Sequence, residues 1–315
     1  MSDSIDELLR ESTAYADASQ SDSSTQAREY DWKVFTEWCA AKKAEAMPAT
    51  PDTATAFLVD QAKTKATATI IRYLSSIKMI YKDKGMLSPF ENAQVQRVFE
   101  GVKRTKGMAQ KGMDAIDFDV IASADLGISP RAVRDRAVVL FGMMTALRGT
   151  EICALDIEDL EFREDDVIVS VRKSKTDQYK VGRTVSVPYA SSEEKCPVVA
   201  LEKWLDLVGE ETGPVFRGLL CTGKPSRNRI TRGTVWSIVK AVAATAKAKG
   251  TFGAHSLRAG YVTAADKAGA TWDQIKEQTG HTSNVVKRYS RHTRDPLKAS
   301  KSSMVLESAI SEKAK

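Results

Sequence analysis

The chain has 315 residues, enough for two domains with sizeable cores, and is 42% hydrophobic and 28% charged, as a water-exposed globular protein is. It holds no apolar run of bilayer length, and its start, MSDSIDELLRESTAYADASQ, lacks a basic and then apolar leader, so neither a membrane segment nor a signal peptide is predicted. Cys39, Cys153, Cys196 and Cys221 form no C-x-x-C pair, which argues against a disulfide framework or zinc site and for a reducing cytoplasm.

Residues 1–22 carry six acids (Asp3, Asp6, Glu7, Glu11, Asp17, Asp22) against Arg10 and read as a flexible acidic tail. The formal charge of +6 is therefore concentrated in the rest of the chain, where a polyanion would bind.

Residues 23–105 read as four helices. The first has caps at Ser23-Ser24-Thr25 and an apolar period through Tyr30, Val34, Phe35 and Trp38. The second starts at Thr50-Pro51-Asp52, with Phe57 and Leu58 inward. The third holds Ile70, Ile71, Leu74, Ile77, Ile80 and Tyr81 and stops at Gly85. The fourth follows Pro89 and carries Val95, Val98, Phe99 and Val102. No strand pattern interrupts them, so a small helical bundle is expected. Arg72, Lys78, Arg97, Lys103 and Arg104 lie on these helices; read alone they are a solvated face. The run KRTKGMAQKGM at 103–113, with Lys106 in it, has four basic residues and no acid, the composition of a linker, placed at 106–113.

The second domain is expected over 114–295. Helical patterns cover 117–125 and 130–146. In TALRGTEICAL, Arg148 stands at a helix start with Glu151 three residues on; a basic residue facing inward there has an anionic partner, which Glu151 would supply, or an anionic ligand. Val167–Val171 and Val181–Val187 alternate as the strands of a hairpin with Lys173, Lys175 and Lys180 at its tip. Helices near 196–208 and 231–248 follow, the latter carrying Arg232 beside a basic loop, KPSRNRITR, that includes Arg229.

Residues 254–291 hold two of the three histidines. His255 and Arg258 are spaced to share a helical face, His281 sits in the helix stop Gly280-His281-Thr282, and Tyr289 follows on the next helical pattern. Alone, His-x-x-Arg is a surface pair or a capped core histidine, and the stretch 272–291 also reads as a helix-turn-helix. Together, two imidazoles, guanidiniums and a phenol suit work on a phosphodiester, as donors to phosphate oxygens and a nucleophile. No carboxylate cluster offers itself to a divalent metal, so no metal or other cofactor is expected.

Arg148 in ALRGTEI, a hairpin lysine, H-x-x-R at 255–258, G-H at 280–281 and a final Tyr289, in this order, resemble the tyrosine recombinase (phage integrase) family from about residue 20 to 295. The helical bundle is most like that of Cre and its simple two-domain relatives. The resemblance implies a mainly α fold with a small β-sheet: an N-terminal helical core-binding domain and a mixed α/β catalytic domain, closing as a C-shaped clamp on DNA. It implies a site-specific recombinase that cleaves and rejoins strands through a 3′-phosphotyrosyl intermediate and a Holliday junction. Tyr289 would be the nucleophile, Arg148 and Arg258 the clamp on the non-bridging oxygens, His255 and His281 donors or proton carriers. Lys175, or else Lys173, would be the general acid, and Glu151 the supporting acid. Arg232 resembles a base-contacting Arg, and Tyr289 follows His281 by eight residues, one fewer than is commonest in the family. The partners implied are double-stranded DNA with inverted-repeat sites and three further copies of the chain on two synapsed sites, with 296–315 as a helix docked on a neighbour, in a cytoplasmic, nucleoid-associated protein. A type IB topoisomerase-like activity and a non-catalytic helix-turn-helix regulator are the alternatives.

Overall fold

A computed structural model describes residues 5, 12, 22–108, 112–172 and 182–281. Backbone contacts divide the chain into two compact units, Met1–Lys111 and Gly112–Lys315.

The first unit comprises α1 (Asp22–Ala41), α2 (Pro51–Thr64), α3 (Thr67–Asp83) and α4 (Ala93–Lys106). Local chemistry sets their starts. Thr50 accepts the amide of Thr53 at 3.1 Å ahead of Pro51, and Asn92 accepts the amide of Gln94 at 2.9 Å. The core is aromatic: Phe35, Phe57, Tyr73, Tyr81 and Phe90 are buried, and Phe35 meets Phe57 edge-on at a centroid distance of 5.0 Å. Two differences from the sequence reading stand out. Tyr30 is 58% exposed, because the inward stripe of α1 runs through Asp31, Phe35 and Cys39 instead. Asp31 can occupy it because Ser76 Oγ donates to its carboxylate at 2.7 Å and Arg72 Nη2 stands 3.1 Å away. Lys106, placed in the linker by composition, instead closes the last turn of α4 together with Lys103 and Arg104; cations there face the negative end of the helix dipole.

The second unit is built on α6 (Pro130–Met144), whose residues Ala137 to Phe141 are all fully buried. A helical stretch apolar on every side, as α6 is from Ala137 onward, must be surrounded. Around it lie α5 (Phe118–Ala122), α8 (Pro197–Val208), α9 (Arg232–Thr245) and α10 (Ala254–Lys267). The short α7 (Gly149–Ala154) follows α6 after a four-residue turn, and α11 (Trp272–Thr279) packs on α10.

Strands β1 (Leu160–Phe162), β2 (Asp166–Val171) and β3 (Arg183–Pro188) form an antiparallel sheet in that order, with Val167 opposite Val187 and Val169 opposite Val185, all four buried. A second antiparallel pair joins β4 (Arg217–Leu219) to β5 (Pro225–Arg229). The sequence reading takes β5 for a basic loop. Its proline and its polar run hide the strand, which forms because Arg217 and Arg229 pair across it and Phe216 accepts the Ile230 amide at 2.9 Å. The architecture is mainly helical with small antiparallel sheets, as expected.

One close approach positions α10. A Cβ added at Gly260 would stand 2.2 Å from the carbonyl oxygen of Ile116, a contact with backbone that no rotamer relieves. Gly260→Ala is expected to destabilise the second unit by roughly 2 kcal/mol or more, read as a drop in the urea midpoint at unchanged slope, whereas Gly101→Ala, in open space on α4, should leave it unmoved.

Candidate active site

The α6–α7 turn sets the first guanidinium. Ala146 takes a left-handed backbone (φ 51°), unusual for a residue with a side chain, while fully buried. This turns the chain out of α6 and places Arg148 at the N-cap of α7. Glu151, only 3% exposed, holds Arg148 twice: Oε1 accepts Nη1 at 2.6 Å and Oε2 accepts the backbone amide at 2.9 Å. A carboxylate in the first turn is favoured by the helix dipole, and the bridge fixes both the main chain and the side chain of Arg148.

The second guanidinium comes from α10. Arg258 is fully buried, and its Nη1 donates to the Ala146 carbonyl at 2.7 Å. The left-handed turn thus both orients Arg148 and supplies an acceptor to Arg258. Arg258 Nη2 lies 3.1 Å from Nδ1 and 3.2 Å from Nε2 of His281. Near-equal distances put it against the ring between the two nitrogens rather than on one lone pair. The Thr279 hydroxyl lies 2.8 Å from His281 Nδ1. His281 follows Gly280, the left-handed C-cap of α11.

His255 opens α10 with its side chain at the surface. Surrounding protein, then the charges of Arg258 and Arg148, hold its pKa below the ordinary imidazole value. The same causes act more strongly on His281: burial first, then Arg258, Arg148, His255 and Arg183 depress it to about 3. The described site therefore gathers Arg148, Glu151, His255, Arg258 and His281. Three helix starts converge on it, since a Cβ at Gly149 would stand 3.0 Å from Ala254 Cβ and 3.3 Å from Arg232 Cγ. Arg183 at the head of β3 is a further cation there, unremarkable in sequence because it is one arginine in an alternating strand; burial lowers its pKa, with Arg148 adding to this and Glu151 opposing. The Lys173, Lys175 and Lys180 candidates, Tyr289 and the segment 296–315 lie outside the described residues.

The DNA-contact candidates differ in what they already touch. In the first unit, Arg97 and Arg104 are exposed on α4, and Lys78 is half-buried on α3. Arg72 faces Asp31 and lies 5.3 Å from the centre of the Tyr73 ring. Lys103 pairs with Glu100, and Lys106 donates to the Ala62 carbonyl. In the second unit Arg232 is exposed at the start of α9. Arg229 is exposed but already engaged: it donates to the Cys153 carbonyl and to Asp156, both at 2.8 Å, and shares Asp156 with Arg172. Among the described residues no group of three or more His, Cys, Asp or Glu could hold a metal ion, and no helix is long and apolar enough to cross a membrane.

The chemistry of this arrangement is that of a preorganised anion site, with fixed guanidiniums and imidazoles that are neutral at neutral pH. The phage integrase family model matches residues 113–295. An integrase/recombinase xerD homolog of Selenomonas ruminantium is 30% identical over 279 residues, 86% of this chain and 82% of that protein. Tyrosine recombinase XerC of Mycobacterium leprae (strain TN) is 29% identical over 240 residues, 72% of this chain and 73% of that one. In fold, the chain is similar to the XerH site-specific recombinase bound to palindromic difH substrate in a post-cleavage complex, with a TM-score of 0.61 at 17% identity, over 84% of this chain and 75% of that chain. The chain therefore belongs to the phage integrase family, as a tyrosine recombinase.

Proposed function

We propose that the protein is a site-specific recombinase in which Arg148 and Arg258 bind the scissile phosphate, with His255 and His281 as neutral hydrogen-bond donors and Tyr289 as nucleophile. The observation that carries this reading is the pair of guanidiniums held rigid by dedicated partners, Glu151 for Arg148 and the Ala146 carbonyl for Arg258. Attack on phosphorus gathers negative charge on the equatorial oxygens, and donors that need no reorganisation stabilise that charge most. Tyrosine Oη gives up its proton and bonds to phosphorus while the bond from phosphorus to the 5′-oxygen breaks and that oxygen takes up a proton, so one proton is released, one is consumed, and the products are a 3′-phosphotyrosyl ester and a 5′-hydroxyl. The ester keeps the energy of the phosphodiester, so a second 5′-hydroxyl can reverse the step without a nucleotide cofactor. Lys175, or Lys173, is our candidate for the acid that protonates the leaving oxygen, a contribution of about 10²–10⁴-fold for such groups.

The substrate in this reading is double-stranded DNA with inverted-repeat sites. The similar fold of the XerH recombinase, solved on a palindromic substrate, supports it. Two-fold symmetry in a site calls for one protomer on each half, and exchange between two sites calls for four, passing through a Holliday junction. Exposed Arg97 and Arg104 in one unit and Arg232 in the other are our candidates for DNA contacts.

His281 gives the pH dependence its sign. An imidazole depressed to about 3 in the folded chain and near 6.5 when unfolded binds more protons in the unfolded state between those values. Stability is then complete above pH 6.5 and falls as pH drops through the window, by up to about 1.4 kcal/mol per pH unit. Urea unfolding at pH 7 and pH 5 should show this slope, and His281→Gln should flatten it; an unchanged slope would mean that His281 is not held as described.

Incubation with DNA fragments from the protein's own locus, followed by denaturation, should trap a covalent adduct with the wild type and none with Tyr289→Phe. An adduct with Tyr289→Phe would remove Tyr289 as nucleophile. Relaxation of plasmid lacking any cognate site would favour the topoisomerase-like alternative, and full function in Tyr289→Phe the regulator. Arg148→Ala is expected to bind the trapped fragment within a few-fold of the wild type yet lose adduct formation by about 10²-fold or more, since its contact matters most at the transition state.

A further inference from the structure

We propose that Arg183 is a positioning residue of this site: a third guanidinium that ties the Gly280–His281 turn to the Arg148–Glu151 pair. The proposal rests on the recombinase reading for its catalytic consequence, but its geometry stands apart from it. Arg183 is the first residue of β3, opposite Val171 in the sheet. Its Nη1 donates to the carbonyl of Gln278, in the last turn of α11, at 2.8 Å. Its Nη2 faces Glu151 Oε2 at 3.6 Å, an ion contact rather than a hydrogen bond. Its Nε is buried with no hydrogen-bond partner among the described residues. The guanidinium fills the space beside Gly280, where an added Cβ would stand 2.8 Å from Nε and 3.2 Å from Cζ.

Each contact falls on an element that carries a site residue but does not itself touch phosphate in the proposed mechanism. Gln278 and Gly280 flank the point where α11 ends and His281 begins, and Gln278 is anchored further by its side-chain amide, which donates to the Met144 carbonyl at 3.0 Å and the Ser186 carbonyl at 3.2 Å. Glu151 is the residue that holds Arg148. Arg183 therefore couples the sheet, the end of α11 and the start of α7. A buried cation is costly unless its neighbours are fixed, and these neighbours are fixed by the same bond set that places His281 and Arg148. Lysine carries its three donors on one nitrogen, so it cannot present two separate nitrogens in a fixed plane to the Gln278 carbonyl and to Glu151 as the guanidinium does.

The test compares Arg183→Gln, Arg183→Lys and the wild type, all full-length, by two measurements. The first needs no DNA. The imidazole signals of the three histidines are titrated by NMR and assigned with single His→Gln variants. The charged groups that face His281 are Arg258, Arg148, His255 and Arg183. In the wild type its signal should stay neutral below pH 5; in both variants the turn is released and the titration should move up from the wild-type value toward the ordinary one, as burial, the largest cause of the depression, is relaxed. The second is adduct formation on the own-locus fragments, which should fall by about 10²-fold in both variants, the cost of roughly 1 Å of misplacement, with DNA binding within a few-fold of the wild type. Wild-type behaviour of Arg183→Gln overturns the proposal. Wild-type behaviour of Arg183→Lys alone also overturns it, because charge without the bridge would then suffice. Should the substitutions at Arg183 unfold the chain, Gly280→Ala tests the same contact from the other side, since its Cβ displaces the guanidinium; an unchanged His281 titration there overturns the proposal. A wild type that forms no adduct sinks the recombinase reading, while the NMR comparison still decides the role of Arg183.

Discussion

The full burial of the Arg258 guanidinium is the constraint on which the second unit is organised. A cation with no access to water must find acceptors inside the protein or the chain will not close over it. The acceptor at hand is the Ala146 carbonyl, and presenting it requires a left-handed residue between α6 and α7. The same turn aims Arg148. One strained residue therefore serves two guanidiniums, and the buried α6 that precedes it supplies the rigidity to hold the strain.

Cations gathered this closely repel, and the fold answers with few charges and many dipoles. Glu151 is the carboxylate that meets the cluster, on Arg148 and at longer range on Arg183. Among the described residues, carbonyls such as that of Ala146 and imidazoles that stay neutral stand beside the guanidiniums. A neutral His281 against Arg258 costs less than a second cation would, and it leaves the site short of negative charge. That shortage is the electrostatic basis of the proposed anion binding. It also explains why the folded chain should be least tolerant of acid at this place, where protonating either imidazole adds like charge to a crowded pocket.

In the first unit the same physics is used for structure. Asp31 is a buried acid on the core-facing side of α1, and Arg72 and Ser76 satisfy it. Lys103 and Lys106 bond to their own helices' surroundings. A basic residue on a helix is thus not by itself a nucleic-acid contact: some of this chain's cations have work within the fold, and Arg97 and Arg104 are the exposed remainder on α4.

Much of this was legible in the chain. His255 and Arg258, Arg148 and Glu151, and Gly280 with His281 are local relations, three or fewer residues apart, so helical periodicity and capping chemistry reveal them without knowledge of the fold. Helix existence was legible for the same reason, through Thr50-Pro51 and the long apolar periods. Tertiary contact alone decided the rest. Tyr30 and Asp31 are neighbours competing for one helical face, and only the presence of Arg72 and Ser76, on another helix, lets the acid take the inside. Strand β5 is too polar to betray itself and exists because β4 pairs with it. Arg183 finds the Gln278 carbonyl across a separation of 95 residues, a distance over which spacing carries no information. The sequence determined which chemistry was available at each turn of helix; the packing of α6, α10 and α11 decided which of those groups share one buried site, because burial selects only the charges whose partners arrive from elsewhere in the chain.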